Sequence, residues 1–282
     1  MYRLLFCVLA VIGLASCRET RIHEEADWQK NYELPGIRNA AFILRDHSHE
    51  AVHFMNKEEC LRRTLPASTF KIFNSLVALE TGIAPDDNLL IKWDGVQREL
   101  PGWNQDLTLR EAFRQSAVWY YQEIARRIGK PVMQHYLDTA NYGNKTISKI
   151  DTFWLDGSLQ ISPDEQVGLL KRLYFAELPF AERTQRIVKS MMLWEDSSTY
   201  KLYYKTGWGC VNKTTDVLWV AGFTERLEKV KEMKGSMNNS DLRAYPYFFA
   251  QRFEIAHGDS TRDWAPFRIE LLKKTLRQAG AI

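Results

Sequence analysis

Beyond its first seventeen residues the chain lacks any apolar run long enough to span a bilayer, which excludes an internal transmembrane helix. It also lacks a dominant charge. Lys and Arg number 38 against 35 Asp and Glu, a formal net charge of +3 with the signs interspersed, and this excludes a strongly nucleic-acid-binding or anionic-surface-binding domain. Cysteine is scarce, at four, and no Cys-x-x-Cys or His-Glu-x-x-His occurs. The six histidines are scattered; His47 and His49 fall in a polar turn, Asp46 to Glu50. No metal site is therefore expected. No internal repeat is visible.

What is present begins at the N-terminus. Met1-Tyr2-Arg3 gives a positive start, Leu4 to Leu14 an apolar run, and Ala15-Ser16 a small-residue site before Cys17. This reads as a secretory signal over residues 1–17, which implies export to the periplasm. Leu14-Ala15-Ser16-Cys17 also resembles the bacterial lipoprotein box, which implies a lipid on Cys17 and a membrane anchor. Cys60 and Cys210 remain in the mature chain; export permits a disulfide between them, and two free thiols fit the sequence as well.

At 282 residues, 45% hydrophobic and 26% charged, the chain has the composition of one large globular domain or two intimate ones. Residues 18–37 are polar and irregular and read as a tether. Strand patterns at 40–44 and 51–55 form a hairpin. From Ser68 the period changes to helical, through Phe70, Phe73, Leu76 and Val77, and Gly82 stops it. Helices are predicted at 108–115, 118–128, 131–139, 163–175 and 181–193. Strands return at 200–206, 217–223 and 247–250, and a helix ends the chain at 266–278. The economical α+β arrangement is a five-stranded antiparallel sheet from residues 38–66 and 200–282, flanked by terminal helices. An all-helical lobe from 67–199 is inserted in it, and a ligand cleft lies between the lobes. Segment 224–246 reads as an elaborated surface loop or a partly helical one, bordering that cleft if the topology holds.

Three short patterns carry candidate chemistry. In Ser68-Thr69-Phe70-Lys71 the spacing puts an amine beside a hydroxyl on one helix face. A serine at a helix start has backbone N–H groups and the positive end of the dipole beside it, which favours charge developing on an attacked carbonyl. An ordinary lysine is protonated at neutral pH, so its surroundings must depress its pKa or modify it before it serves as base. The motif alone is weak. A second copy, Ser198-Thr199-Tyr200-Lys201, enters a strand, where residues three apart face opposite sides, and it reads as structural. Ser116-Ala117-Val118 places a serine on a turn between helices, suited to relaying a proton. Lys205-Thr206-Gly207-Trp208 lies late on a strand. There the lysine fixes positive potential, the threonine offers a hydroxyl to an anion and the glycine lets a substrate amide approach the strand edge. The Trp208 amide adds an oxyanion donor to that of Ser68.

In this order, with Tyr142-Gly143-Asn144 and Trp154-Leu155-Asp156-Gly157-Ser158-Leu159-Gln160-Ile161-Ser162-Pro163, these motifs resemble the signature set of class D (oxacillinase-type) serine β-lactamases from about residue 38 to the C-terminus. Class A enzymes carry Ser-Asp-Asn where this chain has Ser-Ala-Val, and a Glu-x-x-Leu-Asn absent here. The resemblance implies hydrolysis of β-lactams, with Ser68 as nucleophile and Lys71 carbamylated by carbon dioxide to act as general base. It implies that Trp154 holds the carbamate, Ser116 relays a proton to the ring nitrogen and Val118 shields the carbamate from water. Lys205 and Thr206 would support the site electrostatically. The substrate carboxylate needs a bidentate cation. Arg268 matches best by position, and Arg262 is its competitor. Beyond the carbamate no cofactor is implied. The rivals are a β-lactam sensor domain that acylates without turnover, a penicillin-binding peptidase, and an anchored binding protein with a dead site.

Overall fold

The computed structural model describes residues 20–229 and 242–282. The expected hairpin is there, as β2 (Arg38–Asp46) and β3 (Ala51–Met55). Its turn holds His49 against Asp46, with Nδ1 2.8 Å from Oδ2, and packs His47 on Phe175. The segment expected to be a tether is folded instead. Arg21–Glu24 forms β1, parallel to β3, and Ala26–Tyr32 forms helix α1. Burial of Trp28 and Tyr32 holds α1 down, and Asn31 Nδ2 donates to Gln278 Oε1 at 2.8 Å. Two aromatic anchors in a polar stretch were too sparse to show a period.

A short helix α2 (Lys57–Leu61) leads to a 3-10 turn at Ala67–Phe70, which runs straight into α3 (Lys71–Glu80). A small two-stranded sheet, β4 (Leu90–Ile91) and β5 (Leu107–Thr108), precedes α4 (Leu109–Gln115), α5 (Val118–Ile128) and α6 (Lys130–Thr139). Helices α7 (Pro163–Tyr174) and α8 (Glu182–Met192) follow. Helix α7 begins where Ser162 and Glu165 exchange capping bonds behind Pro163. Strands β6 (Leu193–Asp196), β7 (Tyr200–Cys210), β8 (Thr215–Lys229) and β9 (Leu242–Ala256) and helix α9 (Trp264–Gln278) complete the fold.

The main sheet has seven strands among the described residues, in the order β1-β3-β2-β9-β8-β7-β6, rather than the five expected. Only the β1–β3 pair is parallel. β1 and β6 are the additions; both are short edge strands with exposed positions, which weakens their alternation. One sheet face, including Ile43, Phe54, Ala221 and Phe248, joins the helices α3 to α8 in a single core. The other face, with Phe42, Leu218, Val220 and Phe253, packs on α1 and α9. The molecule is thus three layers, with the helical middle sharing a core with the sheet.

Segment 224–246 departs from expectation. Residues 224–229 and 242–246 continue β8 and β9 in register to Lys229 opposite Leu242, and the centre, 230–241, lies outside the described residues. Lys205 pairs with Ala221, so the pair at Lys229 is eight steps away, roughly 25 Å at strand rise. The described strands of this hairpin therefore run away from Lys205. At the other end of the two strands the turn 211–214 joins β7 to β8.

Candidate active site

Three backbone devices bring the candidate residues together. The first is the turn before α3. Ala67 has a left-handed φ of +49° and donates its N–H to the Trp154 carbonyl at 3.0 Å. A non-glycine residue in this region is strained, and such strain persists only where surrounding contacts enforce it. Ser68 follows in the 3-10 turn, where residues three apart nearly eclipse, and Lys71 Nζ donates to Ser68 Oγ at 2.8 Å. Thr69 is turned away: its Oγ1 donates to the Pro66 carbonyl and accepts from buried Gln166 Nε2 at 2.7 Å.

The second device is Ser116. It caps the C-terminus of α4 in the left-handed conformation, with φ +59°, and Ala117 is the N-cap of α5. That bend presents the hydroxyl to β7, where Lys205 Nζ donates to Ser116 Oγ at 3.0 Å and to the Thr206 carbonyl at 3.1 Å. Val118 is the first residue of α5.

The third is the edge of β7. β6 pairs only with Lys201–Tyr203, so the edge from Tyr204 onward has no strand beside it among the described residues. The close approach at Gly207 differs from the expected one. A Cβ there would lie 3.0 Å from the Pro66 carbonyl and 3.3 Å from Thr69 Cγ2, so the glycine first of all lets β7 lie against the nucleophile turn. Alternation then turns Thr206 and Trp208 toward the α9 side. There Arg268 Nη1 donates to the Gly207 carbonyl at 2.7 Å and the guanidinium sits 5.7 Å from the Trp208 ring. Arg262 stacks instead on Phe267 and Trp264, so Arg268 is the arginine at β7.

The electrostatics are one-sided. Lys71, Lys205 and Arg268 are all buried, and their hydrogen bonds run to hydroxyl and carbonyl oxygens, not to carboxylates. Burial lowers the Lys71 ammonium to about 7. Burial, with Lys71 and Arg268 adding repulsion, drives Lys205 well below its ordinary value. Arg268 falls to about 10 and stays charged at neutral pH. Its Nε–H has no hydrogen-bond partner among the described residues. Such a site favours an anionic ligand and keeps an amine beside the serine close to neutrality.

Trp154 is fully buried, stacked on Phe70 with centroids 5.6 Å apart, and its Nε1–H also has no partner among the described residues. A buried unpaired donor costs roughly 1–3 kcal/mol, so it marks a place suited to an acceptor. The Tyr142-Gly143-Asn144 motif holds this loop. Asn144 Nδ2 donates to the Ser158 carbonyl at 2.7 Å and Asn144 Oδ1 accepts from Gln160 N at 2.9 Å. Gly143, at φ +48°, lies where a Cβ would collide with the Gln160 carbonyl.

The sequence reading missed the rings that wall the two lysines, Tyr121 at 5.3 Å from Lys71 Nζ and Phe113 at 5.5 Å from Lys205 Nζ. It also missed Gln166; nothing in their local pattern sets these apart from core residues. The second Ser-x-x-Lys is elsewhere, with Lys201 paired to Asp196 at 3.2 Å. Among the described residues Cys60 and Cys210 are both free thiols.

Residues 36–243 match the penicillin binding protein transpeptidase domain family. The chain is 34% identical to β-lactamase OXA-10 of Pseudomonas aeruginosa, over 93% of this chain and 91% of that one. The crystal structure of a class D β-lactamase from Sebaldella termitidis superposes with a TM-score of 0.83 at 34% identity, covering 94% of this chain and all of that one. The C-terminal domain of the Bacillus licheniformis BlaR penicillin receptor superposes with a TM-score of 0.81 at 30% identity, covering 94% and 100%.

Proposed function

The chain belongs to the class D serine β-lactamases, hydrolases of the β-lactam amide, and from that premise we propose that Ser68 is its acylated nucleophile and that Lys71 works as a carbamate formed with carbon dioxide. The observation that carries the reading is the 2.8 Å bond between a fully buried lysine and the serine, with no carboxylate among the described residues bonded to either side chain.

In this reading Ser68 Oγ attacks the lactam carbonyl as its proton leaves toward Lys71. The carbonyl oxygen takes charge against the amides of Ser68 and Trp208. The C–N bond breaks, and Ser116, hydrogen-bonded to Lys205, delivers a proton to the departing nitrogen. Water then cleaves the serine ester. Arg268, with Thr206, receives the substrate carboxylate.

The residues at Lys71 fit a carbamate. Burial leaves the amine substantially unprotonated near neutral pH, which is the form that adds carbon dioxide. The unpaired Trp154 Nε1–H, on the residue whose carbonyl anchors Ala67, is the donor for it, and Val118 limits water. When present, the carbamate supplies a general base for acylation and deacylation.

The likeness to the BlaR receptor domain supports a second reading, an acylated sensor whose ester persists. Steady-state hydrolysis of a chromogenic β-lactam, with and without bicarbonate, separates the two. Turnover that rises with bicarbonate and vanishes in Ser68→Ala and Lys71→Ala supports the enzyme. One stoichiometric burst supports the sensor. We also propose export with lipid on Cys17, in a segment outside the described residues. The mass of the mature chain, with Cys17→Ala as control, tests it.

A further inference from the structure

The ends of three neighbouring strands place a thiol, a carboxylate and an imidazole together on the α9 face of the sheet. Cys210 on β7 stands opposite Asp216 on β8, and Asp216 stands opposite Ile255 on β9. His257 is two residues beyond Ile255, and its N–H donates to the Thr214 carbonyl at 2.9 Å, so the ladder continues to it. Directly paired residues and residues two apart share a sheet face, so all three side chains point the same way. One ligand atom from each lies within 4.8 Å of the other two.

We propose that Cys210, Asp216 and His257 form a zinc site on the α9 face of the sheet, where β7, β8 and β9 end. Zinc at about 2.3 Å from sulfur and about 2.0–2.2 Å from nitrogen and oxygen holds tetrahedral ligand atoms roughly 3.3–3.6 Å apart. Side-chain rotation closes the observed spacing to that range. It also opens the 2.8 Å contact between His257 Nδ1 and Asp216 Oδ1 by less than about 1 Å. The ligand set chooses the ion. Calcium and magnesium require oxygen donors throughout, whereas thiolate, imidazole and carboxylate suit zinc or its optical surrogate cobalt. The thiol releases its proton to solvent as the ion binds.

Two further features mark a built site. Asp216 is 5% exposed and anchored from behind, since Trp208 Nε1 donates to its second oxygen, Oδ2, at 3.0 Å. Outer hydrogen bonds of this kind orient metal-binding carboxylates. The His257 side chain is half exposed and Cys210 partly so, which gives an ion entry from solvent and leaves a fourth position open. The same Trp208 stacks against Arg268, so the ion is two contacts from the residue proposed to bind the substrate carboxylate. The sequence alone pointed to no metal because these ligands stand at no metal-binding spacing; only strand register unites them.

The test is a titration of the full chain with Zn2+ against a chromophoric chelator, and with Co2+ followed by absorption. One ion per chain is expected, with a thiolate-to-cobalt charge-transfer band. Cys210→Ser removes the band, and Cys210→Ser and His257→Ala each weaken zinc by more than the roughly 10–100-fold that losing an outer-shell partner costs. Trp208→Phe weakens it within that range. Melting of metal-free Cys210→Ser at the wild-type temperature, without the rise that zinc gives the wild type, shows a folded chain that has lost the site. Absence of zinc binding, or binding and a charge-transfer band that survive in both ligand variants, overturns the proposal.

Discussion

Lys205 Nζ donates to Ser116 Oγ at 3.0 Å, joining the sheet to the helical layer. If Ser116 relays the proton to the leaving nitrogen, Ser116→Ala lowers kcat/KM by roughly 10²–10⁴-fold, the usual worth of a positioned acid or base. The fold survives, because Lys205 keeps the Thr206 carbonyl. Acylation rates from stopped-flow measurement check this; an unchanged rate removes Ser116 from the mechanism.

If Lys71 serves as the base, activity depends on pH through it. Its ammonium sits at about 7, so hydrolysis falls as pH drops below about 7 and protonation claims the amine. Stability moves in the same direction. The unfolded chain keeps this proton up to the ordinary 10.5 and the folded chain only to about 7, so between those values the unfolded state binds more protons and folding gains with rising pH. In buffers free of carbon dioxide, Lys71→Met should melt higher than wild type at pH 7, and the gap should narrow toward pH 10.

Trp154→Phe keeps the ring against Phe70 and deletes the unpaired donor. The expected result is a loss of turnover that added bicarbonate partly restores, with the bicarbonate needed for half-activity raised several-fold. Equal loss at all bicarbonate concentrations would instead mark Trp154 as packing only.

Arg268→Ala should raise KM for carboxylate-bearing β-lactams by roughly 10–150-fold, corresponding to the ~1.5–3 kcal/mol of a charged hydrogen bond, with a smaller effect on kcat. Arg268→Lys should rescue little, since a lysine cannot reproduce the fork or the stack on Trp208. Substrates lacking the carboxylate serve as the control.

Gly143→Ala forces a Cβ into the Gln160 carbonyl at φ +48° and should cost about 1–3 kcal/mol, read from the urea midpoint. The Trp154 loop that Gly143 and Asn144 hold should loosen with it, so bicarbonate dependence should steepen alongside the lost stability.

Helices were legible wherever their period and caps agreed. The α7 start at Ser162-Pro163 and α5 at 118–128 sit where the pattern put them. Strands were underestimated at their ends, because charged pairs such as Glu225 and Arg226 read as loop although β8 carries them to Lys229. Helix α1 was lost because only Trp28, Asn31 and Tyr32 of it are buried.

By itself the sequence determined the order and spacing of the chemical groups: a serine three residues before a lysine at a helix start, a serine at an interhelical bend, and a lysine late on a strand. Those are local facts, set by short-range sterics and hydrogen bonds. Tertiary structure alone decided what the groups become. Burial behind Tyr121 and Phe113 sets the lysines' charge, because desolvation depends on what packs around an amine and not on its neighbours in the chain. Register across β7, β8 and β9 decided which distant residues meet, because a ladder pairs residues by alignment rather than by spacing.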